Sequence, residues 1–114
     1  EAEKFRKADI EVIGLKPDND GLPDINRALK YLYDSGFNSV LAETGGKLNY
    51  SLFKNKLVNK IFYMYAPKIL GAGIQCVDGV LCTQISGSLK VKDVSVKKID
   101  DNFMISGLIH YDNC

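Results

Sequence analysis

The strongest constraint on the fold is a helix whose two ends are both marked in the sequence and which is followed at once by a short apolar run. Asp24 can accept hydrogen bonds from first-turn amides, and Gly36 can take the left-handed conformation that ends a helix. The apolar face of this helix consists of Ile25, Ala28, Leu29 and Leu32. Residues 39–42 then have the pattern of a buried strand. A helix followed by a strand predicts an α/β sheet.

Further elements follow from apolar spacing and from turn residues. In chain order they are a strand at 10–13, a loop at 16–23, a helix at 47–56, an interior strand at 61–66, a loop at 70–73, and strands at 89–99 and 103–111. The last two strands are separated by a turn at 100–102, so the chain is predicted to end in a β-hairpin. A slip of phase near Lys92 and Asp93 predicts a bulge.

Composition excludes several classes of protein. With 114 residues and a formal net charge of +1, the chain fits one domain with one core and has no basic excess for nucleic acid. No apolar run approaches the roughly 18 residues of a membrane span, and no signal peptide is recognisable, so we expect a cytoplasmic protein. The chain opens on Glu1 without Met, and we expect it to be part of a longer protein.

The cysteine pattern argues against a metal site. Three cysteines without a signal peptide indicate reduced thiols. A zinc site would have to combine Cys76, Cys82, His110 and Cys114. Their spacing does not match that of compact zinc sites, so no metal is expected. The single histidine, His110, lies in the last predicted strand and is expected to be structural.

The segment between residues 39 and 51 is the best candidate for chemistry. The predicted strand at 39–42 is followed by Glu43 and Thr44, then by two glycines, and a helix then begins. Free amides and the positive end of the helix dipole can bind an anion there, and glycines let a ligand approach the backbone. Lys47 adds positive charge in the first turn. The alternative is that Gly45 and Gly46 only form a tight turn and that Glu43 is a solvated acid.

Three segments carry a resemblance to a known family: Val-Leu-Ala-Glu-Thr-Gly-Gly-Lys-Leu at 40–48, Leu-Val at 57–58 and Ala-Pro-Lys-Ile-Leu-Gly at 66–71. They resemble the C-terminal half of the reductase domain of riboflavin biosynthesis, which follows a zinc deaminase domain in the bacterial bifunctional protein. The resemblance implies a dihydrofolate-reductase-like mixed sheet flanked by helices. It also implies NADPH-dependent reduction of 5-amino-6-(5-phosphoribosylamino)uracil to its ribityl form.

The same resemblance implies the residues of the site. Glu43 would contact the phosphoribosylaminopyrimidine substrate. The NADP phosphates would lie against Gly45, Gly46, Lys47, Leu48, Asn49, Tyr50 and Ser51. A homodimer through the sheet is also implied. The first half of the reductase domain, with its main catalytic motif, and any deaminase domain are not within residues 1–114, so the isolated chain is expected to be inactive.

Two alternatives stay open at this point. The chain could be a noncatalytic nucleotide-binding or assembly module of the same fold, because a fold does not fix a function. It could also belong to a related reductase acting on a pteridine or on dihydrofolate, since the residues that read the ring are expected outside this segment.

Overall fold

The computed structural model describes residues 2–18 and 23–111, which contain three α-helices and three strands. The helices are α1 (Ala2–Arg6), α2 (Ile25–Asp34) and α3 (Gly46–Lys54), and the strands are β1 (Lys60–Tyr65), β2 (Lys90–Ile99) and β3 (Asn102–His110), with a short 3-10 helix at Ile85–Gly87. The chain divides into two compact units, residues 1–42 and 43–114. None of the described helices is long and apolar enough to cross a membrane.

Helix α2, in the first unit, begins as the sequence predicts. The Asp24 carboxylate accepts hydrogen bonds from the backbone amides of Asn26 and Arg27, at 3.0 and 3.2 Å. Its second oxygen accepts from Arg27 Nε at 3.0 Å. These bonds satisfy amides that have no partner inside the helix, which confirms Asp24 as the N-cap.

The end of α2 is also as predicted. Gly36 has φ +94°, its amide donates to the Tyr33 carbonyl at 2.9 Å, and the Phe37 amide donates to the Leu32 carbonyl at 3.0 Å. This pair of bonds is the Schellman arrangement. Because a glycine takes the left-handed conformation without strain, Gly36 stops the helix where the sequence pattern stops.

Two predicted strands are wrong. Residues 10–13 and 39–42 form no regular strand, although the first segment is rich in β-branched residues and the second is largely apolar. The Ile10 amide instead donates to the Phe5 carbonyl at 3.1 Å and belongs to the end of α1. Val40 and Leu41 are 51% and 75% exposed. A strand needs a neighbour for its ladder of hydrogen bonds, and neither segment has one in the described part of the chain. Residues 19–22 of the predicted loop lie outside the described residues.

The second unit contains an antiparallel sheet in the order β1–β3–β2. The predicted C-terminal hairpin is confirmed: Ile99 pairs with Asn102, and Asp100 between them has φ +51°. Strand β1 pairs only with β3 in the described residues. It is therefore an edge strand there, and the prediction of an interior strand is wrong for this part of the chain.

The predicted bulge is confirmed, and Gly107 accommodates it. The register of β2 against β3 shifts between Lys92 and Ser95, so Asp93 and Val94 together oppose Gly107. A Cβ built on Gly107 would touch the Val91 side chain and lie 2.8 Å from the Lys92 carbonyl oxygen. The part of β2 that leads into the bulge thus occupies the space that a side chain at position 107 would need.

The described residues do not form a complete hydrophobic core. Among their apolar side chains only Leu52, on α3, is buried. Ile69, Leu70 and Ile74, in the loop after β1, are 88–100% exposed. The expectation of one complete core is therefore wrong for this part of the chain, because a three-stranded sheet and one short helix offer too little surface to cover these side chains.

Replacing Gly107 with alanine is expected to destabilise the protein by about 1–3 kcal/mol, the usual cost of overpacking. Chemical denaturation of the Gly107→Ala variant measures this loss. Gly73→Ala is the matched control, because a Cβ at Gly73 meets nothing within 4 Å. Equal stability of the two variants would show that the bulge leaves room at position 107.

Replacing Asp24 with alanine is expected to lower the thermal midpoint at neutral pH. The hydrogen bond from the Arg27 amide, with those from the Arg27 side chain and the Asn26 amide, lowers the pKa of Asp24. A lowered folded-state pKa stabilises the protein above the unfolded-state pKa and loses this effect as the pH falls through the folded-state value. Thermal melts of the wild type and Asp24→Ala should therefore converge below a pH of about 3.9.

Asp34→Ala is the control for that comparison. Asp34 pairs with Lys30 at 2.7 Å on the exposed surface of the same helix. Surface pairs of this kind contribute little, so the Asp34 variant should melt close to the wild type. A gap between the wild type and Asp24→Ala that stays constant with pH would contradict the assigned role of the carboxylate.

Candidate functional site

The site is centred on the first turn of α3. Gly45 is the N-cap residue, with φ −81° and ψ 169°, and no side chain caps the helix. The Asn49 amide donates to the Gly45 carbonyl at 3.0 Å and is the first amide bonded within the helix. The amides of Gly46, Lys47 and Leu48 precede this bond. They and the helix dipole provide a positive potential, which is the chemistry that an anion site requires.

The two glycines at the start of α3 have different surroundings. Gly45 is exposed, and a Cβ built on it would meet nothing within 4 Å. Gly46 is buried, and its Cβ would lie 2.5 Å from the Gln75 carbonyl oxygen and 2.9 Å from the Asp78 Cβ. The prediction that both glycines admit a ligand therefore holds sterically for Gly45 alone. At Gly46 the protein itself fills the space.

The segment that fills this space, residues 75–79, is called the strap here. The Asp78 amide donates to the Gly46 carbonyl at 3.0 Å. The Tyr50 ring lies so close to Gly79 that a Cβ on Gly79 would overlap it. The strap is thus fixed to α3 at its C-terminal end.

Asn49 connects the strap to the turn before the helix. Its Nδ2 donates to the Cys76 carbonyl at 2.8 Å and more weakly to the Thr44 carbonyl at 3.4 Å. Its Oδ1 accepts from the Thr44 hydroxyl at 2.5 Å. One side chain therefore joins Thr44, α3 and the strap.

The strap also contacts the sheet. Tyr63 on β1 is half-buried, and burial raises the pKa of its hydroxyl. Electrostatic interactions with Cys76 and with the neighbouring Tyr65 raise the pKa further. The rings of Tyr63 and Tyr65 are 6.4 Å apart. The strap therefore lies near β1 and is bonded to α3.

The predicted site residues fall into two groups. Glu43, Gly45, Lys47 and Leu48 are exposed around the start of α3. Gly46, Asn49 and Tyr50 make the contacts with the strap described above. Ser51 lies further along the helix, where its carbonyl accepts hydrogen bonds from the backbone and side chain of Asn55. The predicted contacts of all these residues with substrate and cofactor stay predictions.

The strap was not recognised from the sequence. Residues 74–84 have no regular apolar spacing, and their contacts depend on residues about thirty positions earlier. The available signal in the sequence was two glycines, Gly46 and Gly79. A side chain on Gly46 would overlap the strap, and a side chain on Gly79 would overlap the Tyr50 ring on α3.

The metal prediction can be compared with the structure only in part. Within residues 2–18 and 23–111, no three His, Cys, Asp or Glu side chains are arranged to hold a metal ion. Cys76 and Cys82 are free and exposed, and His110 is half-buried at the end of β3. Cys114 lies outside the described residues.

Comparison with known proteins identifies the family. The chain belongs to the RibD C-terminal domain family, whose model matches residues 1–105. It is 33% identical over 84 residues to the riboflavin biosynthesis protein PYRR, chloroplastic, of Zea mays. This match covers 71% of this chain and 13% of that protein. It is 28% identical over 110 residues to the riboflavin biosynthesis protein RibD of Actinobacillus pleuropneumoniae, covering 94% of this chain and 29% of that protein.

These matches confirm the family that the motifs at 40–48, 57–58 and 66–71 indicated. The chain spans less than a third of the length of either relative. The activity of a whole protein of this family is therefore a matter for proposal and test.

Replacing Gly46 with alanine is expected to destabilise the second unit by about 1–3 kcal/mol, because the new Cβ would overlap the strap. Gly45→Ala is the matched control. Its φ and ψ suit any residue and its Cβ enters open space, so its stability should stay within about 0.5 kcal/mol of the wild type. Urea denaturation of the two variants measures both values. A Gly46→Ala variant as stable as Gly45→Ala would contradict the close packing of the strap.

Proposed function

We propose that this chain is part of a reductase that acts in riboflavin biosynthesis. The observation that carries the proposal is the uncapped start of α3, open on the side of Gly45 and flanked by Lys47, in a chain of the RibD C-terminal domain family. The names of both relatives place them in riboflavin biosynthesis. A reductase of this kind needs a place for an anionic cofactor, and this helix start has the required chemistry.

The proposed cofactor is NADPH, and the residues present fit its phosphates. The first-turn amides can donate to phosphate oxygens, Lys47 can neutralise charge, and the missing side chain at Gly45 leaves room for close approach. When bound, NADPH supplies the hydride for the reduction. The contribution of these residues is to hold and orient the cofactor.

The proposed substrate is 5-amino-6-(5-phosphoribosylamino)uracil, with Glu43 as its contact in this chain. Glu43 is exposed and lies two residues before the cap of α3. A carboxylate can accept hydrogen bonds from ribose hydroxyls and so fix the sugar. Addition of a hydride and a proton at the ribose converts the ribosyl group to the ribityl group.

We further propose that residues 1–114 are the C-terminal part of a larger dihydrofolate-reductase-like domain. Two features support this. The edge strand β1 has apolar side chains on both faces, and Leu52 is the one buried apolar side chain in the described residues. Further polypeptide would extend the sheet beyond β1 and cover one of its two apolar faces. A homodimer formed through exposed sheet residues such as Phe62 and Met64 belongs to the same proposal.

The test is carried out on the full-length protein that contains these residues. Wild type is expected to oxidise NADPH in the presence of the proposed substrate. Glu43→Ala is expected to lower turnover at least about tenfold, which corresponds to about 1.4 kcal/mol of lost transition-state stabilisation. Its dissociation constant for NADPH should stay unchanged, because Glu43 is assigned to the substrate.

Asp101→Ala serves as the control, since Asp101 is an exposed acid in the hairpin turn. Its kinetics should match the wild type. Unchanged turnover in Glu43→Ala would overturn the role of that residue. A wild-type protein that binds NADPH but reduces none of the proposed substrate would favour the noncatalytic module instead.

A further inference from the structure

We infer that Asn49 is a positioning residue, which builds one wall of the cofactor site by holding the strap against the first turn of α3. This inference rests on the proposed function, because it assigns a part of the site that binds NADPH. It differs from the contact role that the family resemblance implies for Asn49. The side chain acts through the strap and the turn, without touching the ligand.

The hydrogen bonds of Asn49 leave its amide group little capacity for a ligand. An Asn side chain has two N–H donors and one carbonyl acceptor. Here Nδ2 donates to Cys76 and Thr44 carbonyls, and Oδ1 accepts from the Thr44 hydroxyl. All of these partners belong to the protein, and the side chain is half-buried among them.

The position of the strap determines which side of the helix start is open. On the side of Gly46, the Gln75 carbonyl and Asp78 occupy the space of a missing Cβ. On the side of Gly45, nothing lies within 4 Å of that position. A phosphate group can therefore approach the first-turn amides from the side of Gly45 and Lys47. The strap thereby determines the side from which a phosphate group can enter the site.

Fixing the strap also prepares the site before a ligand arrives. The Asp78 amide is bonded to the Gly46 carbonyl, so the strap and the first residue of α3 hold one another in place. A site whose walls are already ordered loses less conformational entropy on binding. Loss of the Asn49 bond to Cys76 is expected to loosen the strap and to weaken cofactor binding, with little effect on the chemical step.

Asn55 provides a matched control on the same helix. Its Nδ2 donates to the Ser51 carbonyl at 2.8 Å, the same distance and the same kind of bond as from Asn49 to Cys76. Asn55 is the C-cap residue of α3, at the end remote from the strap. Asn49→Leu and Asn55→Leu therefore each remove a 2.8 Å bond between a side-chain amide and a backbone carbonyl. Asn49→Leu also removes the two bonds with Thr44, and only Asn49→Leu releases the strap.

The test compares these variants in the full-length protein by NADPH kinetics and by hydrogen exchange. Asn49→Leu is expected to raise KM for NADPH at least about fivefold while kcat changes by less than about twofold. Exchange at the Asp78 amide should accelerate at least about tenfold. Asn55→Leu should leave both quantities near the wild-type values.

Asn49→Asp is a second variant in case Asn49→Leu does not fold. It keeps the shape of the side chain and an acceptor for the Thr44 hydroxyl, and it cannot donate to the Cys76 carbonyl while ionised. It is expected to accelerate exchange at Asp78 and to raise KM for NADPH in the same direction.

The outcomes separate this inference from the proposed function. If wild type reduces the substrate and the Asn49 variants keep the wild-type KM, the inference is overturned and the proposed function stands. If exchange at Asp78 is unchanged in both Asn49 variants, the strap does not depend on Asn49 and the inference is also overturned. If wild type neither binds nor oxidises NADPH, the proposed function fails, and the inference fails with it.

Discussion

The close contact between Gly46 and the strap is the constraint on which the rest of the candidate site depends. Because Gly46 has no side chain, residues 75–79 can lie against the first turn of α3 and bond to its backbone. Because of that contact, the two adjacent glycines have different surroundings. Gly46 faces the protein and carries the packing, whereas Gly45 faces outward and leaves room for a ligand. This difference between Gly45 and Gly46 determines on which side a ligand could approach the first-turn amides.

Features fixed by neighbouring residues could be predicted from the sequence. The Asp24 cap, the Gly36 stop and the hairpin with its bulge near Lys92 each depend on residues a few positions apart. The start of a helix after Gly45 was recognisable for the same reason. The family could also be recognised, because its motifs are contiguous stretches of sequence.

Features that depend on distant partners could not be predicted in this way. Residues 39–42 have the composition of a buried strand, but a strand also requires a neighbour to complete its hydrogen bonds. Within residues 2–18 and 23–111, β1 pairs with β3 alone, some forty residues later, and this pairing places it at the edge. The strap depends on Asn49 and Gly46, which lie about thirty residues earlier. Apolar spacing contains no information about such pairings.

The edge that β1 forms among the described residues has a consequence for how this chain folds. Residues 61–65 are five successive uncharged residues without proline, and Phe62 and Met64 are 50% and 58% exposed. Natural edge strands are usually protected by charges, proline or bulges, because an unprotected edge recruits strands from other molecules. During folding this stretch is therefore a point where aggregation can compete with the formation of the native sheet.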